Sequence, residues 1–83
     1  MSYRVRFGDR ALVQLTGLPS GAFDAIVERV VDLVDAPWDA VVMTRGSDPA
    51  YRQVTFGQGY GLLTFRVDDE AELIVIFDIA WIG

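Results

Sequence analysis

Seven arginines and three tyrosines are the main groups through which this chain of 83 residues could act on a substrate. It contains no histidine, no cysteine and no lysine. The missing histidine removes the commonest general base near neutral pH and the commonest metal ligand. The missing cysteine removes thiolate nucleophiles, thiolate metal sites and disulfides. Any catalysis must therefore rest on carboxylates, arginines, tyrosines or hydroxyls. Three other constellations invite chemistry, and each has a simpler reading. Glu28 and Asp32 lie one helical turn apart, but without a metal partner they read as the solvated face of a helix. Gly57-Gln58-Gly59-Tyr60-Gly61 looks like a phosphate loop, yet it opens no helix and so lacks the amides such loops use. Asp68-Asp69-Glu70 with Glu72 lacks the spaced ligands of a calcium loop. The last two read as hairpin turns. Neither a metal nor a cofactor is expected.

The net charge of −5 opposes the phosphate attraction on which most non-specific nucleic-acid affinity depends. The hydrophobic share, 52%, is high for so short a chain and points to an apolar surface kept for a partner. Charges interrupt every segment, so no run approaches the roughly 18–20 apolar residues needed to cross a bilayer. The opening MSYRVRFGDR has no apolar core of a signal peptide. These features imply one cytoplasmic domain, residues 1–83.

The elements that must position any site follow from periodicity. Tyr3-Arg4-Val5-Arg6-Phe7 alternates, as a strand with Tyr3, Val5 and Phe7 inward does. Asp9 is placed to cap a short helix holding Ala11, Leu12, Leu15 and Leu18, which Gly17 and Pro19 close. Ser20 is placed to cap a longer one, with Phe23, Ile26, Val27, Val30, Leu33 and Val34 as its apolar stripe and Asp24, Glu28, Asp32 and Asp35 opposite. Ala36-Pro37 ends it. Trp38–Ala50 links to the sheet, with Trp38 as a plug for the core's edge and Val41-Val42-Met43 as an apolar anchor. Tyr51–Phe56, Tyr60–Val67 and Leu73–Ile79 or beyond read as three strands of a meander. In the last, Leu73, Val75, Phe77, Ile79 and Trp81 make one row, and Ile74, Ile76, Asp78 and Ala80 the other. The fold class expected is α+β, in the order β-α-α-β-β-β. A helical hairpin covers a small, mostly antiparallel four-stranded sheet, with the first strand at an edge.

That order, with several short motifs, resembles the RelE/ParE superfamily of bacterial toxins. Phe7-Gly8-Asp9-Arg10-Ala11-Leu12 is similar to its strand-to-helix junction, and Asp35-Ala36-Pro37 to the end of its long helix. Thr44-Arg45-Gly46, Tyr51-Arg52, Gly59-Tyr60 and Arg66-Val67-Asp68-Asp69-Glu70 are similar to its meander motifs. The resemblance spans nearly the whole chain. It implies a partner antitoxin, and an action either on ribosome-bound mRNA, as in RelE-type nucleases, or on DNA gyrase, as in ParE-type members. In the nucleases, basic residues on the exposed sheet face hold phosphate and stabilise developing charge. Carried over singly, the first basic position falls on Arg52. The next falls on Val54, or on Thr55. The arginine after Gly-x-Tyr falls on Gly61, or on Leu62. The terminal basic segment falls on Ala80-Trp81-Ile82, and the chain stops at Gly83, short of the C-terminal helix of some members. The one-residue ambiguity implies a bulge or a longer hairpin around Gly57-Gln58-Gly59.

Arg52 alone is retained, with Arg45 and Arg66 as neighbours and Tyr60 as a proton-moving group. These four are the candidate catalytic residues. Loss of most of the basic set favours a toxin-like protein that works by binding protein. Two alternatives stand beside it: a ribosome-dependent endoribonuclease with a reduced arginine site, and a small structural or regulatory domain that dimerises through Trp81 and Phe77.

Overall fold

The computed structural model describes residues 3–42 and 48–82. The elements are β1 (Arg4–Phe7), α1 (Asp9–Thr16), α2 (Ser20–Leu33), a 3-10 turn (Pro37–Asp39), β2 (Val41–Val42), β3 (Tyr51–Phe56), β4 (Gly61–Asp68) and β5 (Leu73–Trp81). The sheet order is β1-β5-β4-β3-β2. β1 runs parallel to β5, and every other pair is antiparallel. The four expected strands are the four long ones. The expected Val41-Val42 anchor contributes a two-residue strand at the far edge, and Met43 lies outside the described residues.

Both helices begin without a side-chain cap. The Gly8 carbonyl accepts the Leu12 N–H at 2.9 Å, so Gly8 is the N-cap and Asp9 is the first helical residue. Its charge then meets the positive end of the helix dipole instead of capping an amide. Pro19 likewise accepts from Ala22 and Phe23, which starts α2 at Ser20. The α2 stripe divides on folding. Ala22, Ile26 and Leu33 bury against the sheet, whereas Phe23, Val27 and Val31 stay exposed. A hairpin of two helices has only one face against the sheet, so a stripe wider than that face is left in water.

Val5 and Phe7 on β1 align with Ile74 and Ile76 on β5, and this row faces the helices. Beyond Ile76 the expected rows of β5 change places. The β4–β5 register runs Thr64↔Asp78 and then Phe65↔Ile76, leaving Phe77 as an extra residue. A bulge reverses the alternation of the strand beyond it. Ile79 therefore joins Ile74 and Ile76 in the core. Phe77 leaves it, setting its ring edge-on to Tyr51 with centroids 5.6 Å apart. The β3–β4 pairing, by contrast, is unbroken from Tyr51↔Arg66 to Phe56↔Gly61. The irregularity expected near Gly57 thus takes the form of a four-residue turn, with Gly57, Gln58 and Gly59 all at positive φ. The bulge itself is one strand over.

β1 is too short to pair with the second half of β5, and α1 takes its place. Gln14 accepts the Ile79 N–H through Oε1 at 2.7 Å and donates from Nε2 to Asp78 at 3.0 Å. Arg10 pairs with the same carboxylate at 3.2 Å. Replacing Gln14 by Leu should strand the Ile79 amide and lower stability by about 1–3 kcal/mol, read as an earlier midpoint in urea unfolding with an unchanged slope.

Candidate functional site

The regular β3–β4 register sorts by sheet face the residues on which the resemblance places basic groups. Arg52, Val54 and Phe56 share the helix-side face with Gly61, which pairs with Phe56 on one flank and Trp81 on the other. Val54, Gly61 and Trp81 thus lie on the helix-side face, and Thr55 and Leu62 on the opposite one. None of these five residues is charged. The Phe56 and Trp81 rings stack 5.6 Å apart at 18° across the gap left by Gly61. A Cβ on Gly61 would fall inside the Phe56 ring, and one on Gly57 would come 2.7 Å from Trp81 Cζ3. Two glycines are thus required by one aromatic pair. Phe56 is fully buried, so it has no room to give.

Arg52 is held by the backbone. Its Nε donates to the Pro49 carbonyl at 2.7 Å, and Nη1 donates to those of Trp38 and Ala40, each at 2.9 Å. Its guanidinium lies 4.8 Å from the Trp38 ring centroid. These contacts tie the loop before β3 to the strand. Trp38 is accordingly a surface strut, not a core plug: it is 37% exposed, and its Nε1 donates to Asp69 at 2.9 Å. The Tyr3 hydroxyl donates to the same carboxylate. That bond raises the Tyr3 pKa above its usual 10. The tie is fully present below that value and is lost as the pH rises through the raised one.

Arg66 projects from the other sheet face, exposed, with its guanidinium 5.9 Å from the Tyr51 ring. Arg52 and Arg66 stand on neighbouring strands but on opposite faces. Tyr60, 55% exposed, ends the β3–β4 turn beside Trp81, at 6.4 Å and 61°. Arg45 lies outside the described residues. Arg52, Arg66 and Tyr60 thus occupy three different environments.

Among the grooves of the described residues, two bear on binding. A groove of about 430 Å³ runs between α2 and the β3–β4 turn, lined in part by Glu28, Asp32, Phe56 and Gln58. Its one cation, Arg29, donates to the Thr55 carbonyl at 2.9 Å and lies 3.9 Å from Asp32. With two carboxylates and a committed guanidinium, this groove repels phosphate. A second, of about 220 Å³, lies between the helices and is entirely apolar, with Phe7, Leu15 and Val30 below and Phe23, Val27 and Val31 at its rim. No patterning rule separates these exposed residues from the buried half of the same stripe. The excess width of the stripe was the available signal.

The fold has close relatives among solved structures. The toxin–antitoxin complex RelBE2 from Mycobacterium tuberculosis matches with a TM-score of 0.83 at 28% identity, covering 99% of this chain and 100% of that one. The isolated E. coli RelE toxin matches with a TM-score of 0.83 at 19% identity, over 99% and 86% of the two chains. The archaeal RelE–RelB complex from Pyrococcus horikoshii matches at 0.73 and 19%, over 100% and 98%. The chain has the RelE/ParE-superfamily fold. No family model matches its sequence, and no curated protein sequence does. The order of elements and the parallel placement of β1 beside β5 thus belong to the RelE/ParE plan, while the aromatic stack across Gly61 is a feature of this chain's own residues.

Gly61→Ala should force the buried Phe56 ring aside and cost about 1–3 kcal/mol. Urea unfolding checks this, and loss of near-ultraviolet dichroism from the Phe56–Trp81 pair should accompany it.

Proposed function

We propose that this chain is the toxin-like member of a toxin–antitoxin pair and that it acts by binding protein, with the RNA-cleaving chemistry lost. The observation behind this reading is that Val54, Gly61 and Trp81, on which the resemblance would place cations, are uncharged, and that Trp81 stacks on Phe56 across Gly61. Cleavage through a 2′-hydroxyl attack needs several preorganised donors around the scissile phosphate, and loss of one such donor in other enzymes costs about 10²–10³ in rate. Here Arg52 donates to three carbonyls, and the adjacent groove is lined by Glu28 and Asp32. The partner half of the reading draws support from the RelBE complexes among the structural relatives and from the apolar groove between the helices. Exposed Phe23, Val27 and Val31 together make the kind of patch that a lone soluble chain seldom keeps.

The test is expression with and without the protein encoded by the neighbouring reading frame. A stable complex should form, and any growth arrest should be relieved by the partner. Primer extension on translated mRNA should show no cleavage. Arg52→Ala should lower the melting temperature by several degrees, because three carbonyls lose a charged donor. Cleavage that is abolished by Arg66→Ala, a substitution that leaves the fold intact, would overturn the reading in favour of a reduced nuclease.

A further inference from the structure

The helix layer has a second property, independent of its apolarity. Along α2, Phe23, Val27 and Val31 recur every four residues, and each is followed at once by an acid: Asp24, Glu28 and Asp32. At 100° per residue, these acids run along the helix about 100° round from the exposed apolar residues, and Asp35 follows just beyond the end of α2. Asp24 and Glu28 therefore flank the exposed stripe on the side away from the sheet, and Glu28 and Asp32 also line the groove against the β3–β4 turn. Among the described residues, Asp24, Glu28 and Asp35 have no ion pair, and Asp32 meets only Arg29. Among the other described arginines none offsets them, Arg52 being spent on three carbonyls. Arg10 is held by Asp78, and Arg4, Arg6 and Arg66 align on the opposite face of the sheet.

We infer that the segment covering this groove is an amphipathic helix whose apolar stripe is bordered by Lys or Arg. This rests on the partner-binding reading above and adds the sign of the partner's charge. An acidic partner would bring carboxylates against Asp24, Glu28 and Asp35. A cationic one would pair with them at the rim while its apolar stripe filled the 220 Å³ groove.

Two synthetic helical peptides of about three heptads, identical except for Lys or Glu beside a Leu stripe, test the inference by fluorescence anisotropy. The Lys peptide should bind about tenfold more tightly at low salt, from several exposed pairs acting together. Raising the salt should shrink the preference. The variant Asp24→Asn/Glu28→Gln/Asp35→Asn should melt like the parent and show no preference, and Val31→Ser should weaken binding of the Lys peptide. Equal affinities, binding by neither peptide, or preference for the Glu peptide would each overturn the inference. If the neighbouring frame's product fails to bind while the Lys preference holds, the toxin–antitoxin reading falls and the cationic partner stands.

Discussion

Strand β5 must be paired on both flanks, and most of the molecule is arranged to do it. Its neighbours come from distant and adjacent parts of the chain: β1, far back in sequence, in parallel, and β4, across the preceding turn, antiparallel. The parallel pair cannot be made by a hairpin, so the chain between β1 and β3 must leave the sheet and return. The helical hairpin is that excursion, and it covers Ile74, Ile76 and Ile79 on the way. Because β1 is only four residues long, half of β5 would still present an unpaired edge. Gln14 fills that gap on one side of the sheet. On the other, where β2 is shorter still, Arg29 takes the Thr55 carbonyl. Both helices thus hold the sheet at its edges as well as by its face, which also removes two templates for strand addition.

The same economy explains the arginines. In an acidic chain with no lysine, cations near the fold's seams are drawn to carbonyls and carboxylates that would otherwise go unpaired. Arg52, Arg29 and Arg10 each join two parts of the chain. What is left for recognition is apolar and acidic surface on the helix side. Such a surface favours protein over RNA: apolar area drives association with a groove-filling side chain, whereas a phosphate backbone needs a positive field.

The candidate site was legible only in part. The motifs carried the basic positions onto alternatives one residue apart, and the β3–β4 ladder places those alternatives on opposite faces of the sheet. Arg52 was visible as the retained cation, but its commitment to Pro49, Trp38 and Ala40 was not, because those carbonyls come from a loop whose path no local rule specifies. Trp38 was misread for the same reason. Its indole finds Asp69 and its ring finds Arg52, two partners that lie far along the chain.

Composition and periodicity alone determined the element types, the order β-α-α-β-β-β, the inward row of β1 and the absence of histidine or thiolate chemistry. These are local properties, set by side-chain alternation, turn residues and residue inventory. The tertiary structure alone decided the rest. The bulge at Phe77 exchanged the rows of β5, the gap at Gly61 let Phe56 meet Trp81, and half of the α2 stripe was left in water beside a row of acids. Each outcome depends on which strand lies next to which, and on how much of a helix one sheet face can cover. Residues far apart in the chain settle those matters together.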